Sequence, residues 1–466
     1  MKKYLGLIGA AVLMVALATP AAAQMLTRSW GHLEIMTVYE NKPDFNTGAA
    51  YYRAPDSHNI AFFTGAQRPN QDITQRHVAE RFRLGLQHGD EKTVRAVIEF
   101  EGNSSDWGEA STGTVTGGKM GTYQADQTQL QIRHAYLEFV VPNTPVTVSA
   151  GMQLFVYGGR LFVYNDAPGM KVTAKFAPHQ IQAAWWRVND DSRIRYDIHE
   201  NYALEYRLTQ KNFNFYAWGN YQNQNRDTAT SRVHDNPYWL GVGGGFRPGN
   251  LDLSGQFIYA GGNKEDFTST KLKKDYSAFA LEAAAKYQIG PGMRAGLEAY
   301  YSTGNDANQT DKINLYPIAF NSESRAIFGI DRTVIFWMNA GQFGYWHNRE
   351  IFFEGMWYGR ANFEFSPRAN IRFNLNYLYI GDTSKGTPGA GKSVNSPLGA
   401  RQDKDEDFIG HEINLITTIA IYKNIIYNIG LGYFIPGSIY DKPATTTPAK
   451  SAENTYGINT NLKYVF

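Results

Sequence analysis

Segments of about ten residues in which apolar and polar side chains alternate recur along the whole chain. In the segment 371–382, Phe373 and Leu375 share one parity, whereas Arg372 and Asn374 share the other. A period of two is typical of a β-strand with one apolar and one polar face. Charged side chains on the polar parity of strand after strand would be costly inside a dry core. The pattern therefore predicts a sheet with water on one face and an apolar medium on the other.

The connections between these segments alternate in length. The short ones are rich in Pro, Gly, Asn and Asp, which suits tight hairpin turns, and lie at 88–92, 142–145, 177–180, 209–212, 247–250, 289–292, 366–370 and 422–424. The long ones are hydrophilic and include 41–72, 103–125, 224–235, 303–349, 381–406 and 436–453. Because outer-membrane barrels sort their connections in this way, we predict an all-β fold: a transmembrane antiparallel β-barrel of about 18 strands with short periplasmic turns and long extracellular loops.

Two segments are set apart from the strands. Residues 1–23 combine Lys2 and Lys3 with an apolar run and a small-residue end at Ala21–Ala23, which is typical of a cleaved secretory signal peptide. We therefore expect 24–466 to form a single barrel domain in the bacterial outer membrane. The longest connection, 303–349, contains the apolar piece "RTVIFWMNAGQFGYW" and is expected to form either a hairpin or a segment folded into the lumen.

The end of the sequence, "NTYGINTNLKYVF", is itself an alternating strand. Tyr456, Ile458 and Leu462 share the apolar parity with Phe466, the last residue. An open sheet edge is not tolerated in lipid, so this strand is expected to pair with the first one, at 30–39. Phe466 also resembles the terminal aromatic residue by which the outer-membrane barrel assembly machinery recognises its clients. It is therefore a candidate assembly signal.

Composition excludes several classes of function. A net charge of +2 argues against a nucleic-acid partner. The absence of cysteine excludes disulfide scaffolds, thiolate metal sites and covalent c-type haem attachment. The ten histidines show no metal-ligand spacing. We therefore expect no catalytic residues, no metal and no cofactor, and a protein that is not an enzyme.

The C-terminal third resembles the bacterial alginate-export family. The segment "FIGHEINLITTIAIYKNIIYNIGLGYFIPGSIY" (408–440) is similar to the end of those proteins, with matching residues at Gly410, Glu412, Leu415, Gly432, Tyr433, Phe434, Pro436 and Gly437. A weaker similarity covers 148–176, and Asn414 stands where the family often has Asp. The resemblance implies an eighteen-stranded outer-membrane barrel that acts as a passive or selective channel.

The polar parity of the predicted strands supplies candidates for a pore lining. The basic candidates are Arg81, Arg83, Arg95, Lys171, Lys175, Arg207, Lys286, Arg294, Arg360 and Arg372. The acidic candidates are Glu205, Glu282, Glu298 and Glu364, and further inward acids nearly balance the bases. Opposite charges along one strand, such as Glu205/Arg207, Glu282/Lys286, Arg294/Glu298 and Arg360/Glu364, favour a salt-bridged wall with little net selectivity. The alternative is a ring of like charge that selects ions. The cluster Arg81, Arg83 and Arg95 is the predicted local positive patch.

These features together predict a porin-like channel for diffusion or export of small hydrophilic or anionic solutes, with polysaccharide as a further substrate class. The expected partners are outer-membrane lipid, lipopolysaccharide, the barrel assembly machinery and small solutes, and a homo-oligomer stays open. Three alternatives remain: a barrel that serves as a sheath or scaffold for a periplasmic electron-transfer or export partner, an outer-membrane lipid hydrolase, and a soluble carbohydrate-binding sandwich.

Overall fold

The computed structural model describes most of the chain. The described residues are 27–41, 74–106, 130–190, 198–227, 232–267, 272–306, 309, 311–317, 333–335, 355–385, 407–438 and 451–466. The predicted signal peptide, most of 303–349 and most of the long loops therefore lie outside the described residues.

The described residues form one sheet of 19 strands. They are β1 Thr27–Asn41, β2 Thr74–Gly89, β3 Val94–Asp106, β4 Leu130–Val140, β5 Val146–Tyr157, β6 Val163–Phe176, β7 His179–Asp190, β8 Ile198–Thr209, β9 Phe213–Asp227, β10 Arg232–Phe246, β11 Leu251–Asp266, β12 Leu272–Gly290, β13 Met293–Ser302, β14 Lys312–Ile313, β15 Met356–Arg368, β16 Ile371–Asp382, β17 Phe408–Tyr422, β18 Ile425–Pro436 and β19 Thr455–Val465.

The sheet closes on itself. Each strand except β14 pairs in antiparallel fashion with its neighbours in sequence, and β1 pairs with β19 in a register that joins Leu33 to Tyr464. The two-residue β14 instead pairs in parallel with β12. Leaving β14 aside, the wall has 18 strands. The predicted closed antiparallel barrel is thus confirmed, and all eight predicted short turns connect consecutive strands.

The two faces of the wall differ as the alternation predicts. On β19, Tyr456, Ile458 and Leu462 are exposed on the outside, whereas Asn459 and Asn461 are buried on the inside. Other strands repeat the pattern, and large exposed apolar side chains stand on the outward parity around the sheet. A closed sheet pairs its backbone N–H and C=O groups internally, so an apolar outer surface is compatible with lipid. Among the described residues, no helix has the length and apolarity needed to span a membrane.

The connections at the other end of the barrel are less uniform than predicted. The predicted loop 224–235 is mostly strand, because β9 runs to Asp227 and β10 begins at Arg232. β5 and β6 are joined only through a single turn of 3-10 helix, Gly158–Arg160, and two further residues. Polar side chains also line the ends of these long strands, so hydrophilicity alone misplaces the boundary between strand and loop.

An apolar cluster lies inside the barrel, toward the end opposite the short turns. It includes Phe155, Tyr157, Phe162, Trp186, Trp218, Trp239, Tyr316, Ile335, Tyr358, Leu378 and Phe434. Several of these residues come from inward-facing strand positions, and others from segments between strands. The sequence does not predict this cluster, because it places only polar side chains inside the wall.

Part of the cluster comes from a hairpin that leaves the wall. β5 pairs with β4 only as far as Ala135–Met152, and β6 pairs with β7 only as far as Gly169–Trp186. β5 and β6 nevertheless remain paired with each other up to Tyr157–Val163. We call residues 152–168 the inward hairpin. Its aromatic side chains pack inside the barrel, with the Phe155 ring 4.8 Å from Trp186.

Barrel closure yields a prediction for Phe466. Its amide donates to the Gly31 carbonyl (3.1 Å), and its carbonyl accepts from the Gly31 amide (2.9 Å). Deleting Phe466 removes both of these hydrogen bonds, so we expect a smaller fraction of heat-modifiable, folded barrel on a gel, while cleavage of the predicted signal peptide is unchanged. A charged extension after Phe466 should act in the same direction.

The variant Phe466→Tyr is the matched control, because it keeps the backbone and the ring. A folded fraction equal to that of the parent after deletion of Phe466 would contradict the proposed role of this residue.

Candidate functional site

The structure places all of the predicted pore-lining residues on the inward parity of the wall. Most lie in the half of the barrel that ends in the short turns; Arg81, Glu282, Glu298 and Arg360 lie nearer to its middle. Alternation within a strand fixes which face a side chain occupies, so this part of the site follows from sequence. Which charges touch one another depends on the register between strands.

The predicted positive patch on β2 and β3 is neutralised by carboxylates. Arg81 donates to Glu34 (2.5 Å), and both side chains are buried. Arg83 lies 2.6 Å from Glu101. Arg95 donates to Glu138 (2.8 Å) and contacts the exposed Glu91. These three arginines therefore make poor anion-binding groups, and the interpretation of this region as the positive patch is corrected.

A second ion cluster was missed by the sequence reasoning. Arg133 lies 3.0 Å from Glu99 and 2.7 Å from Asp166, and His134 lies 2.8 Å from Asp166. The register of β3 against β4 shifts at Glu99/Phe100, which brings Arg133 to the inner side together with His134. No sequence signal marks this shift, because a bulge inserts one residue without a required residue type.

Cross-strand contacts replace most of the predicted pairs within strands. Glu298 lies 2.8 Å from Arg360 on the neighbouring strand and accepts a hydrogen bond from Tyr358. Residues four apart in a strand are separated by about 13 Å, which explains why Glu298 pairs across the sheet and not with Arg294. Glu205 and Arg207, only two residues apart, do form the predicted ion pair.

A different set of bases is left without a carboxylate. Among the described residues, Lys175, Lys286 and Arg294 have no acidic side chain within 4 Å, although Glu364 lies opposite Arg294 in the register. Gly296 leaves space for the Lys286 side chain, because a Cβ added at position 296 would lie 3.2 Å from Cγ of Lys286. The unneutralised positive charge of the inner wall is thus found on β6, β12 and β13.

The remaining predicted residues have mixed surroundings. Lys171 donates to the Leu154 carbonyl (3.0 Å) and lies over the Phe155 ring. Glu282 accepts from Gln256 (3.0 Å), and Glu364 accepts a long hydrogen bond from Asn362 (3.4 Å). Arg372 is half-buried at the start of β16. Within the described part of the chain, no three His, Asp or Glu side chains are placed to hold a metal ion.

Asparagines form a polar layer on the inner face of β15 to β19. Asn376 donates to Asn414 (2.9 Å), and Asn414 donates to Glu412 (2.8 Å). Asn374 and Asn461 are also buried on this face. Uncharged amides both donate and accept, so the layer binds polar groups without favouring one sign of charge. Of these asparagines, the sequence analysis named only Asn374, as a polar-parity position, and Asn414, at a position where the resembling family often has Asp.

Residues 333–335 of the long connection lie against this layer. The Glu412 carboxylate accepts from the amides of Val334 (2.5 Å) and Ile335 (3.3 Å), and Asn459 donates to the Val334 carbonyl (2.8 Å). Two side chains on different strands thus hold one short piece of backbone against the inner wall.

Another part of the same connection meets the inward hairpin. Tyr316 donates to the Leu161 carbonyl (3.2 Å), and Trp239 donates to the Pro317 carbonyl (2.8 Å). The two segments from the long connection therefore contact different parts of the interior. The described residues of 303–349 that make these contacts lie inside the wall.

Comparisons with known proteins agree with the architecture. No family model matches the chain, and no curated protein matches it either, so the similarity to the alginate-export family remains a resemblance. Similar solved structures include OccK8 (OprE) of Pseudomonas aeruginosa, with 11% identity, 94% of this chain and 98% of that chain covered, and a TM-score of 0.50. The outer membrane protein opdK of the same organism has 8% identity, with 94% of this chain and 98% of that chain covered, and a TM-score of 0.50.

A third similar structure is the outer membrane channel DcaP of Acinetobacter baumannii, with 12% identity, 96% of this chain and 99% of that chain covered, and a TM-score of 0.42. At these identities, the likeness of the two Pseudomonas proteins establishes the barrel fold.

Burial decides the energetic effect of the inner ion pairs. Glu298–Arg360 and Arg247–Asp252 have the same N–O distance, 2.8 Å, but the first is buried and the second is exposed. Replacing Arg360 by Ala removes the positive charge beside a buried carboxylate, and we expect a loss of about 3–5 kcal/mol in the free energy of unfolding. Arg247→Ala should cost about 0–1 kcal/mol.

Denaturant unfolding of both variants in detergent measures this difference. Equal losses for Arg360→Ala and Arg247→Ala would show that burial does not control the inner pairs.

Proposed function

We propose that the protein is an outer-membrane channel that passes small hydrophilic solutes and prefers anions. The observation that supports this most directly is the closed wall with charged and amide side chains inside and large apolar side chains outside. Such a wall separates lipid from a polar interior. Transport, and not catalysis, is the activity that this arrangement favours.

The preference for anions rests on the unequal pairing of charges. The inward acids Glu34, Glu101, Glu138 and Glu298 each have a basic partner. Lys286 and Arg294 do not have an acidic one among the described residues. Paired charges largely cancel one another beyond a few ångströms, whereas an unpaired base keeps its field. Glu282 and Glu364 lie on the same part of the wall and offset some of this field. Lys175, Lys286 and Arg294 together outnumber these two carboxylates, so a hydrated anion meets a small net positive potential on the inner wall.

The size of the solute is limited by the segments inside the barrel. The inward hairpin and the residues around Tyr316 and Val334 fill part of the interior with apolar and backbone groups. Inward segments narrow a barrel that would otherwise be wide enough for an aqueous channel. We therefore favour small solutes over a polysaccharide, which would need an unobstructed path.

The location and assembly of the channel follow the same proposal. A cleaved signal peptide at 1–23 would deliver the chain across the inner membrane, and Phe466 would serve the assembly machinery. Outer-membrane lipid and lipopolysaccharide would then surround the apolar outer face. A homo-oligomer would also use that face, since an oligomer interface and a lipid contact are both apolar.

Ion selectivity tests the charge assignment. In a planar bilayer with a salt gradient, we expect Lys286→Gln/Arg294→Gln to shift the reversal potential toward cations, because the unpaired positive field is removed. Arg83→Gln/Glu101→Gln should shift it less, because it removes a neutral pair and leaves the net charge unchanged. The double variant Lys211→Gln/Lys423→Gln removes the same charge from exposed turns and is the matched control.

A bilayer that stays silent at every salt concentration and voltage would refute the channel. A reversal potential unchanged by Lys286→Gln/Arg294→Gln, in a conducting protein, would refute only the assignment of selectivity.

The attachment of Val334 and Ile335 to the wall gives a second test. Glu412→Ala removes the carboxylate that accepts from both amides, so the segment loses its anchor and we expect a higher single-channel conductance. Glu364→Ala removes an inward carboxylate that does not touch the segment, and it should leave conductance close to that of the parent. Unchanged conductance in Glu412→Ala would show that this segment does not narrow the path.

A further inference from the structure

We propose that the inward hairpin is the movable shutter of a lateral opening, through which a small apolar solute passes between the membrane and the lumen. This inference rests on the membrane location proposed above, but it concerns a second path and a different class of solute. It is supported by the height at which strand pairing ends, the surfaces on both sides of the gap, and the backbone at the point of departure.

Strand pairing ends within the height of the membrane. β4 and β5 share six residue pairs, and β6 and β7 share eight. At about 3.3 Å per residue and a tilt of about 40°, the paired wall is about 15 Å high on one side of the hairpin and about 20 Å on the other. The apolar band of such barrels is about 25 Å tall. The gap between β4 and β7 therefore begins inside the bilayer.

The outer surface beside the gap remains apolar. Leu130 and Ile132 lie on β4 beyond its last pair with β5, and they are 59% and 58% exposed, among the most exposed apolar side chains of the barrel. Exposed apolar side chains on the outward face are compatible with hydrocarbon. The outer face of β4 therefore stays apolar beside the gap.

Side chains, and not backbone hydrogen bonds, connect the hairpin to β4 above this point. Asp166 on the hairpin bonds to Arg133 (2.7 Å) and to His134 (2.8 Å). A strand edge without a ladder is costly in lipid. An ion pair that can break and reform provides a closure that a continuous ladder would not allow. We call this contact the latch.

An aromatic surface lies directly behind the gap. Phe155 and Tyr157 of the hairpin stack on Trp186 at centroid distances of 4.8 Å and 5.7 Å, and Trp186 is the last residue of β7 that pairs with β6. Apolar solutes bind to concave surfaces of this composition. Since these rings also fill the space behind the gap, passage requires the hairpin to move.

Two glycines allow the hairpin to bend away from the wall. Gly151 and Gly169 are direct cross-strand partners at the point of departure. An added Cβ would lie 2.3 Å from the Ala135 carbonyl oxygen at Gly151 and 2.2 Å from the Trp185 carbonyl oxygen at Gly169. Gly151 also has a positive φ of 131°. Beyond the Ala135–Met152 and Gly169–Trp186 pairs, the described residues show no further strand ladder that movement of the hairpin would break.

The absence of native cysteine allows the hairpin to be locked in place. An added Cβ at Gly159, at the tip, would lie 3.0 Å from Nε2 of Gln256 on the wall. In the Gly159→Cys/Gln256→Cys protein, a short bis-thiosulfonate reagent should bridge the two thiols, and a reductant should release them. The two single-cysteine variants, treated in the same way, are the controls.

We expect the bridge to slow the entry of N-phenyl-1-naphthylamine, an uncharged apolar fluorophore, into cells expressing the protein by at least tenfold, and reduction to restore entry. Ion conductance in planar bilayers should be the same with and without the bridge, since the bridge keeps the inward hairpin in the position that it has in the structure. Equal probe entry in the bridged and reduced proteins would overturn the shutter. A parallel fall in conductance would also overturn it, because the hairpin would then control the main path.

The latch gives an independent variant. Asp166→Ala removes both contacts with β4 and should raise probe entry, whereas Asp252→Ala removes a turn-side carboxylate and should not. Unchanged entry in Asp166→Ala would contradict the role of the latch. A protein that conducts no ions but still shows bridge-dependent probe entry would refute the channel proposal and support the shutter.

Discussion

The backbone pairing of the first and last strands is the constraint on which the rest of the structure depends. Once β1 is joined to β19 from His32–Val465 to Asn41–Tyr456, the sheet has no free first or last strand and its wall is a single layer of strands. Alternate side chains must then face opposite environments. The apolar exterior and the polar inner wall are two consequences of this closure, and neither needs a conventional hydrophobic core.

Closure also explains how so many charges are accommodated inside. In a closed antiparallel sheet, each inward residue lies opposite an inward residue on either side, so a carboxylate can find its base across the ladder. Glu34 lies opposite both Arg81 and Lys463 in this way. Where no acid is within reach, as beside Lys286 and Arg294, positive charge is left over. Register thus sets the field of the interior.

The sequence predicts the features that depend on local rules. Period-two alternation placed each candidate, from Arg81 to Arg372, on the correct face, and turn chemistry located the short hairpins. It did not predict the partners of Arg360 or the shift that turns Arg133 inward, because register and bulges arise between strands. The inward positions of Phe162 and Val334 were missed for a related reason, since apolar residues between strands carry no periodicity.

The two kinds of inward segment are held in different ways, and this difference bears on what each can do. Val334 is fixed through its backbone to Glu412 and Asn459, so its position depends on hydrogen bonds that few side-chain changes would disturb. Among the described residues, the inward hairpin has no ladder pairing with β4 beyond Met152 or with β7 beyond Gly169. Burial of an aromatic side chain such as Phe155 or Phe162 stabilises by about 1.5–3 kcal/mol, and such contacts can be exchanged for others of equal area. The structure therefore combines a fixed segment, suited to setting a minimum width, with a segment that can be displaced without breaking the barrel.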